Sequence, residues 1–310
     1  MCTAITFYNG NHYFGRTLDY ERSYGEQLVI TPRRYEFSFD TQYAIIGMAH
    51  VSKNYPLYYD AINEVGLGMA GLNFPGNAYY GKMEVGMVNV TSYDLIPFIL
   101  GRCETVKEAR EVLEHINITA TAFSEELQPS PLHWIIADKE QALVVEQTKE
   151  GMHLYDNPVG VLTNNPPFES QMDFLCQFMN LTTKPVENRF SKNIDLHAYS
   201  RGMGAIGLPG DVSSSSRFVR AAFTKLNSVC GNGEMENVNQ FFHILGTVEQ
   251  VRGCVELEAG VYEITIYTSC CNLDKGIYYY STYDNPSIRH ISMHSYDLKG
   301  ENLICIDVEI

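Results

Sequence analysis

Between residues 2 and 73 the chain runs through five short apolar stretches, CTAITFY, HYFGRTLD, EQLVITP, YAIIGMAH and GLGMAGLN, separated by Gly, Asn and Pro signals. Runs of this length suit strands and are short for helices that bury a face, and turn residues between them fold each run back on the last. The pattern predicts antiparallel strands and hairpins. LHWIIAD and ALVVEQT flank a turn-like KEQ and predict the clearest hairpin in the chain. After Glu263 the pattern returns to strands, ITIYTS and IYYYSTY, and is read as strand to the chain end.

Helices are fewer and better marked. Thr105 with Glu108 three residues on is a capping-box signature, and Val106, Ala109, Leu113 and Ile116 then recur at helical spacing. Residues 216–229 and 238–251 also read as amphipathic helices. Strands, then helices, then strands, without regular alternation, predict an α+β fold whose antiparallel sheets carry helices on their outer faces. No linker or internal repeat interrupts the chain, so residues 1–310 are read as a single domain.

The charge balance excludes one class of partner. A formal net charge of -15, with no cluster of Lys and Arg, does not suit nucleic acid. The same field repels small anions, so an anionic substrate needs a few local arginines to hold it. No stretch reaches the roughly 20 apolar residues that span a bilayer, and the N-terminus lacks the basic-then-apolar pattern of a secretory signal. The expectation is a cytoplasmic protein without membrane insertion. Eight cysteines lie scattered without a C-x-x-C pair, which in a reducing compartment predicts mostly buried thiols.

Cys2 stands apart. Initiator methionine is removed before small residues, and a chain that then starts with cysteine carries a thiol and a free α-amine on one residue. That amine titrates near 7.7 to 8.0, where a general base works best. The other reading is an incidental thiol at a chain end. Arg16 and Asp19 interrupt the apolar run HYFGRTLDYE, and a hairpin over residues 3–19 would return them to the chain start. An arginine there favours thiolate, and a carboxylate accepts a hydrogen bond from the amine. A solvated strand end would look the same.

Several blocks together resemble the choloylglycine hydrolase family: MCTAITF, YFGRTLDYERSYGEQLVITPR, YDAINEVGLGMAGLNFPGNAYY, LHWIIAD, YDNPVGVLTNNP and GLPGDVSSSSRFVRAAF, in the family's order. Within it the chain looks most like the bile salt hydrolases of gut bacteria, with penicillin V acylases as cousins. The resemblance implies a four-layer αββα sandwich, the N-terminal nucleophile hydrolase fold, and Cys2 as the nucleophile. The family's active-site arginine and aspartate match Arg16 and Asp19, its oxyanion-hole pair matches Asn73 of GLNFPG and Asn164 of LTNNP, and a second arginine matches Arg217 of SSRF. The residues themselves allow this: Asn73 closes a Gly-rich strand and Asn164 precedes a Pro-rich turn, where donors can face a cleft. They equally allow two turn asparagines and a surface arginine.

The implied substrate is a glycine- or taurine-conjugated bile salt, cleaved at its amide through a thioester, with no metal or cofactor. Asparagine at position 73 favours bile salt hydrolase, since penicillin V acylases typically carry tyrosine there. Arg201 stands where many relatives have a glycine-flanked loop, and a guanidinium suits a sulfonate, so a lean toward taurine conjugates is expected. Leu18 and Tyr24, with residues 51–59 and 123–132, are expected to bed the steroid. The family is commonly tetrameric. The alternatives are a penicillin V or other N-acyl amide hydrolase and a catalytically silent bile-salt-binding homologue. His290 and His294 are spaced for a metal but lack a third ligand nearby, and no metal site is expected.

Overall fold

The computed structural model describes residues 1–308; the last two positions read as strand, 309 and 310, lie outside the described residues. Two antiparallel sheets make the body of the molecule. The first has six strands in the order Val161–Leu162, Cys2–Asn9, Asn11–Tyr20, Ile264–Asn272, Ile277–Thr282 and Arg289–Ser292. The second has eight, in the order Gly151–Asp156, Ala142–Thr148, Leu132–Ala137, Gly68–Asn73, Tyr55–Asn63, Ile45–Ser52, Glu26–Thr31 and Ile304–Asp307. The hairpin around KEQ is present, with Ala137 paired to Ala142.

Alternation along the second sheet explains the layering. Leu28, Ile30, Ile46, Met48, Ile62, Ala70, Leu72 and Ile135 face the first sheet in one apolar cluster. Their neighbours Val29, Ile45, Ala61, Met69, Trp134 and Ile136 face the other way, into a second cluster with the helices Leu95–Leu100 and Val106–Leu113. Helices Ser214–Asn227 and Glu234–Gly246 cover the first sheet, contacting its strands Cys2–Asn9, Asn11–Tyr20 and Ile264–Asn272. The result is the four-layer αββα sandwich. Because both sheets are covered on both faces, the central strands are buried almost end to end.

Several sequence expectations shift. Thr105 does cap a helix, accepting from Glu108 N–H, but the helix ends at Leu113, and Ile116 starts a strand that pairs in parallel with Val88–Thr91. The helix expected over 238–251 begins at Glu234, because Glu236 reaches back to the Gly233 N–H at 2.8 Å and closes the first turn earlier. The segment 51–59, expected to bed the steroid, contains the start of the strand Tyr55–Asn63. Cysteine burial was overstated: Cys2, Cys103, Cys270 and Cys271 are buried, Cys230 is half-buried, and Cys176, Cys254 and Cys305 are exposed.

Close packing of strands constrains the sequence next to the site. A Cβ on Gly15 would lie 2.1 Å from the Ser269 carbonyl oxygen, so only glycine lets the strand bearing Arg16 approach its neighbour.

Candidate active site

The first hairpin sets the geometry. Its register pairs Cys2 with Leu18 and Ala4 with Arg16, which brings the GRTLD segment back beside the chain start. Met1 continues the ladder: its carbonyl accepts from the Asp19 N–H at 3.0 Å, and its amine donates to the Asp19 carbonyl at 2.7 Å and pairs with the Glu263 carboxylate. Burial lowers the pKa of that amine, against the pull of Cys2 and Asp19.

Cys2 is buried, and its backbone is gripped from two sides. Its N–H donates to Asn164 Oδ1 at 2.8 Å, and its carbonyl accepts from Arg217 Nη1 at 2.6 Å. Arg217 also donates to Thr3 Oγ1 and, through Nη2, to Asn164 Oδ1 at 2.8 Å. Two donors converge on Asn164 Oδ1, which fixes the orientation of that amide: its Nδ2 faces the Asn73 carbonyl at 2.7 Å. Asn73 Nδ2 in turn donates to the Tyr20 hydroxyl at 2.9 Å.

Asp19 is fully buried, and its carboxylate accepts from Thr265 Oγ1 at 2.7 Å and Thr17 Oγ1 at 3.2 Å. Burial raises its pKa, opposed by Arg217, the terminal amine and Arg16. Arg16 is buried as well. Its Nε donates to the Thr17 carbonyl and its Nη1 to the carbonyls of Gly71 and Tyr59, whereas Nη2 has no partner among the described residues. Burial disfavours the guanidinium charge, but Cys2, Tyr267, Asp60 and Asp19 outweigh it and raise the pKa. A buried guanidinium with two unused N–H groups, lining the same cleft as the thiol, is poised for a thiolate or a substrate oxygen.

The cleft has a volume of about 340 Å³. Cys2, Arg16 and Asn73 line it together, with the Tyr20 hydroxyl bonded to Asn73. Its walls are largely apolar: Leu18 and Tyr24 from the first hairpin region, Leu57, Tyr58 and Tyr59, and Phe123, Leu127, Pro129 and Leu132. The expected bedding segments 51–59 and 123–132 thus both contribute. Burial, with Cys2 nearby, pushes the Tyr20 phenol up to about 12, so it stays protonated and can donate as well as accept.

The structure brings together Cys2, Arg16, Asp19, Asn73, Asn164 and Arg217, and sets Leu18 and Tyr24 in the cleft wall. Asn164 touches Cys2 from behind and does not line the cleft. Arg201 is not brought in: it is exposed, on the turn before the short helix Met203–Ala205, and it does not line the cleft. Tyr20, Thr265 and Ser214, whose hydroxyl accepts from the Asn164 N–H at 2.8 Å, were not singled out from sequence. Their roles depend on pairings between distant segments, for which a single sequence carries no signal. Among the described residues no group of three His, Cys, Asp or Glu could hold a metal ion.

Two face-to-face antiparallel sheets between helical layers, with a cysteine heading the first strand at a cleft, have the fold of the N-terminal nucleophile hydrolases. The family model for linear amide C–N hydrolases of the choloylglycine hydrolase family matches residues 2–306. The bile salt hydrolase/transferase of Lactiplantibacillus plantarum is 52% identical over 310 residues, covering 98% of this chain and 96% of that protein. That of Clostridium perfringens is 37% identical, covering 98% and 95%. A crystal structure of a conjugated bile acid hydrolase variant from Clostridium perfringens superposes with a TM-score of 0.93 at 35% identity, covering 100% of this chain and 97% of that one. The penicillin V acylase of Agrobacterium tumefaciens, 20% identical with a TM-score of 0.77 over 99% of this chain and 91% of that one, shares the fold. The chain belongs to the choloylglycine hydrolase family.

Proposed function

We propose that this hydrolase cleaves the amide bond of conjugated bile salts, with Cys2, freed of Met1, as nucleophile and its α-amine as base. The observation that carries it is the cleft: largely apolar walls together with a thiol, a guanidinium whose Nη2 has no partner among the described residues, and an asparagine suit an amphipath with a flat hydrocarbon body and an amide at one end.

The α-amine, held through the Cys2 nitrogen by Asn164 Oδ1, takes the thiol proton, while Arg16 favours the thiolate and the buried Asp19 carboxylate steadies the ammonium that forms. Attack on the amide carbonyl places negative charge on its oxygen, which Asn73 stabilises, joined by Asn164 when its Nδ2 turns from the Asn73 carbonyl toward the cleft. The amine passes its proton to the departing nitrogen as the C–N bond breaks, leaving a thioester on Cys2. The amine then deprotonates water, which attacks the thioester, and the bile acid leaves with the thiol restored. Intercepting the thioester with an amine instead of water would give the transferase activity that the names of the relatives carry. A homotetramer in the cytoplasm, with residues 1–310 as one domain, belongs to the same reading.

Taurocholate, glycocholate and penicillin V assayed side by side test it. Both bile salts should be hydrolysed with kcat/KM at least about tenfold above penicillin V; faster penicillin V cleavage overturns the substrate class in favour of an acylase. The taurine lean rests on Arg201 alone. Equal kcat/KM for the two bile salts, unchanged by Arg201→Gly, removes it.

A further inference from the structure

A second buried carboxylate, Asp60, lies behind Arg16. In the strand Tyr55–Asn63 the register against Ile45–Ser52 shifts, so that Tyr58 pairs with Ala49 and Asp60 with Met48, leaving Tyr59 as the extra residue of a β-bulge. Bulges beside active sites re-aim the groups they carry. Here the Tyr59 carbonyl accepts from Arg16 Nη1 at 3.1 Å. The Asp60 side chain is fully buried and crosses to the other sheet, accepting from the hydroxyls of Tyr267, Tyr278 at 2.7 Å and Ser269 at 3.1 Å. Ser269 Oγ also accepts from the backbone N–H of Arg16 at 3.1 Å, so one hydroxyl joins the carboxylate to the residue that faces the thiol.

Charge balance ties the two groups further. Burial pushes the Asp60 carboxyl up toward its neutral form, and Arg16 is the main influence opposing it, ahead of the three hydroxyls. The other titratable neighbours of Asp60 are Tyr267, Tyr278 and the buried Cys271. Around Cys2 stand Arg16, Asp19, Tyr20, Arg217 and the terminal amine. Asp19 is the strongest charge acting on Arg217, while Arg16 feels Cys2 and Tyr267 first, then Asp60 and Asp19.

We infer that Asp60 is a positioning residue that acts through Arg16: it fixes the guanidinium against Cys2 and offsets part of the positive charge the thiol experiences. This rests on Cys2 being the nucleophile. Removing the carboxylate charge leaves Arg16 uncompensated, which favours thiolate at lower pH, while loosening the guanidinium slows turnover.

The test is the pH profile of glycocholate hydrolysis by wild type, Asp60→Asn and Tyr278→Phe. In D60N, kcat should fall ten- to a hundredfold, roughly the cost of a small misplacement near reacting groups. KM should stay within about twofold, and the acidic limb of kcat/KM should move down by about one pH unit. Y278F removes a hydroxyl and keeps the charge, so its limb should stay where it is in wild type even as thermal stability drops. A folded D60N with wild-type kcat and an unmoved limb overturns the inference, as does an equal limb shift in Y278F. Should D60N not fold, Ser269→Ala severs the link to Arg16 and should lower kcat at constant KM; unchanged kcat there overturns it equally. Undiminished activity in Cys2→Ala would instead overturn the assignment of Cys2, and with it the inference that Asp60 acts on the thiol through Arg16.

Discussion

Replacing Cys2 with alanine should lower kcat/KM for conjugated bile salts by about 10⁴-fold or more, the scale seen when a covalent nucleophile is removed. The thiol lines the cleft together with the Arg16 Nη2 donors and Asn73. Without it no thioester forms, and water would have to attack the amide directly. Ligand binding should survive, because the apolar wall of Leu18, Leu57, Tyr59 and Phe123 is untouched. A bile salt should therefore still raise the melting temperature of C2A. Loss of both binding and turnover would point to collapse of the first strand, and full turnover would remove Cys2 from the chemistry.

Asn164→Ala should lower kcat by about 10²- to 10³-fold, with a smaller effect on KM, the range for losing one oxyanion donor, which is the role proposed for its Nδ2. The same change leaves Arg217 Nη2 and the Cys2 N–H without their shared acceptor, costing roughly 1 to 3 kcal/mol of stability. The two effects separate in Asn164→Asp. Aspartate keeps an oxygen for both donors and loses the Nδ2 that reaches the Asn73 carbonyl. N164D should be nearly as slow as N164A while recovering much of its melting temperature. If N164D recovers turnover along with stability, Asn164 is an anchor for Cys2 and no more.

The strands of the first half were readable because each short apolar run ends in a residue that turns the chain, and the observed hairpins follow those turns. Helix Leu95–Leu100 was missed because all six of its residues are buried, leaving no polar face and therefore no amphipathic period. Ile116 fell at helical spacing only by coincidence: the helix stops at Leu113, and the next apolar residues belong to a strand. Strand Tyr55–Asn63 hid behind Pro56 and a run of tyrosines, and its bulge interrupts the period.

For the site, proximity of Arg16 and Asp19 to the chain start needed only a hairpin, a local feature that a sequence can carry. Proximity of Asn73, Asn164 and Arg217 to Cys2 depends on contacts between segments more than 50 residues apart, and was accessible only through family resemblance. Arg201 shows the limit of that route. A loop can be matched by its motif while its side chain stays in solvent, because loop geometry is set by what packs beneath it.

The central claim is that Cys2 acts with its own α-amine, and this requires that Met1 be gone. In the unprocessed chain the Cys2 nitrogen is an amide, bonded to Asn164 Oδ1 and without basicity. Intact-mass spectrometry of the purified enzyme, fractionated and assayed on glycocholate, tests this directly. Chains beginning at Cys2 should carry the activity, in proportion to their share of the sample. Full turnover by chains that retain Met1 would contradict the mechanism.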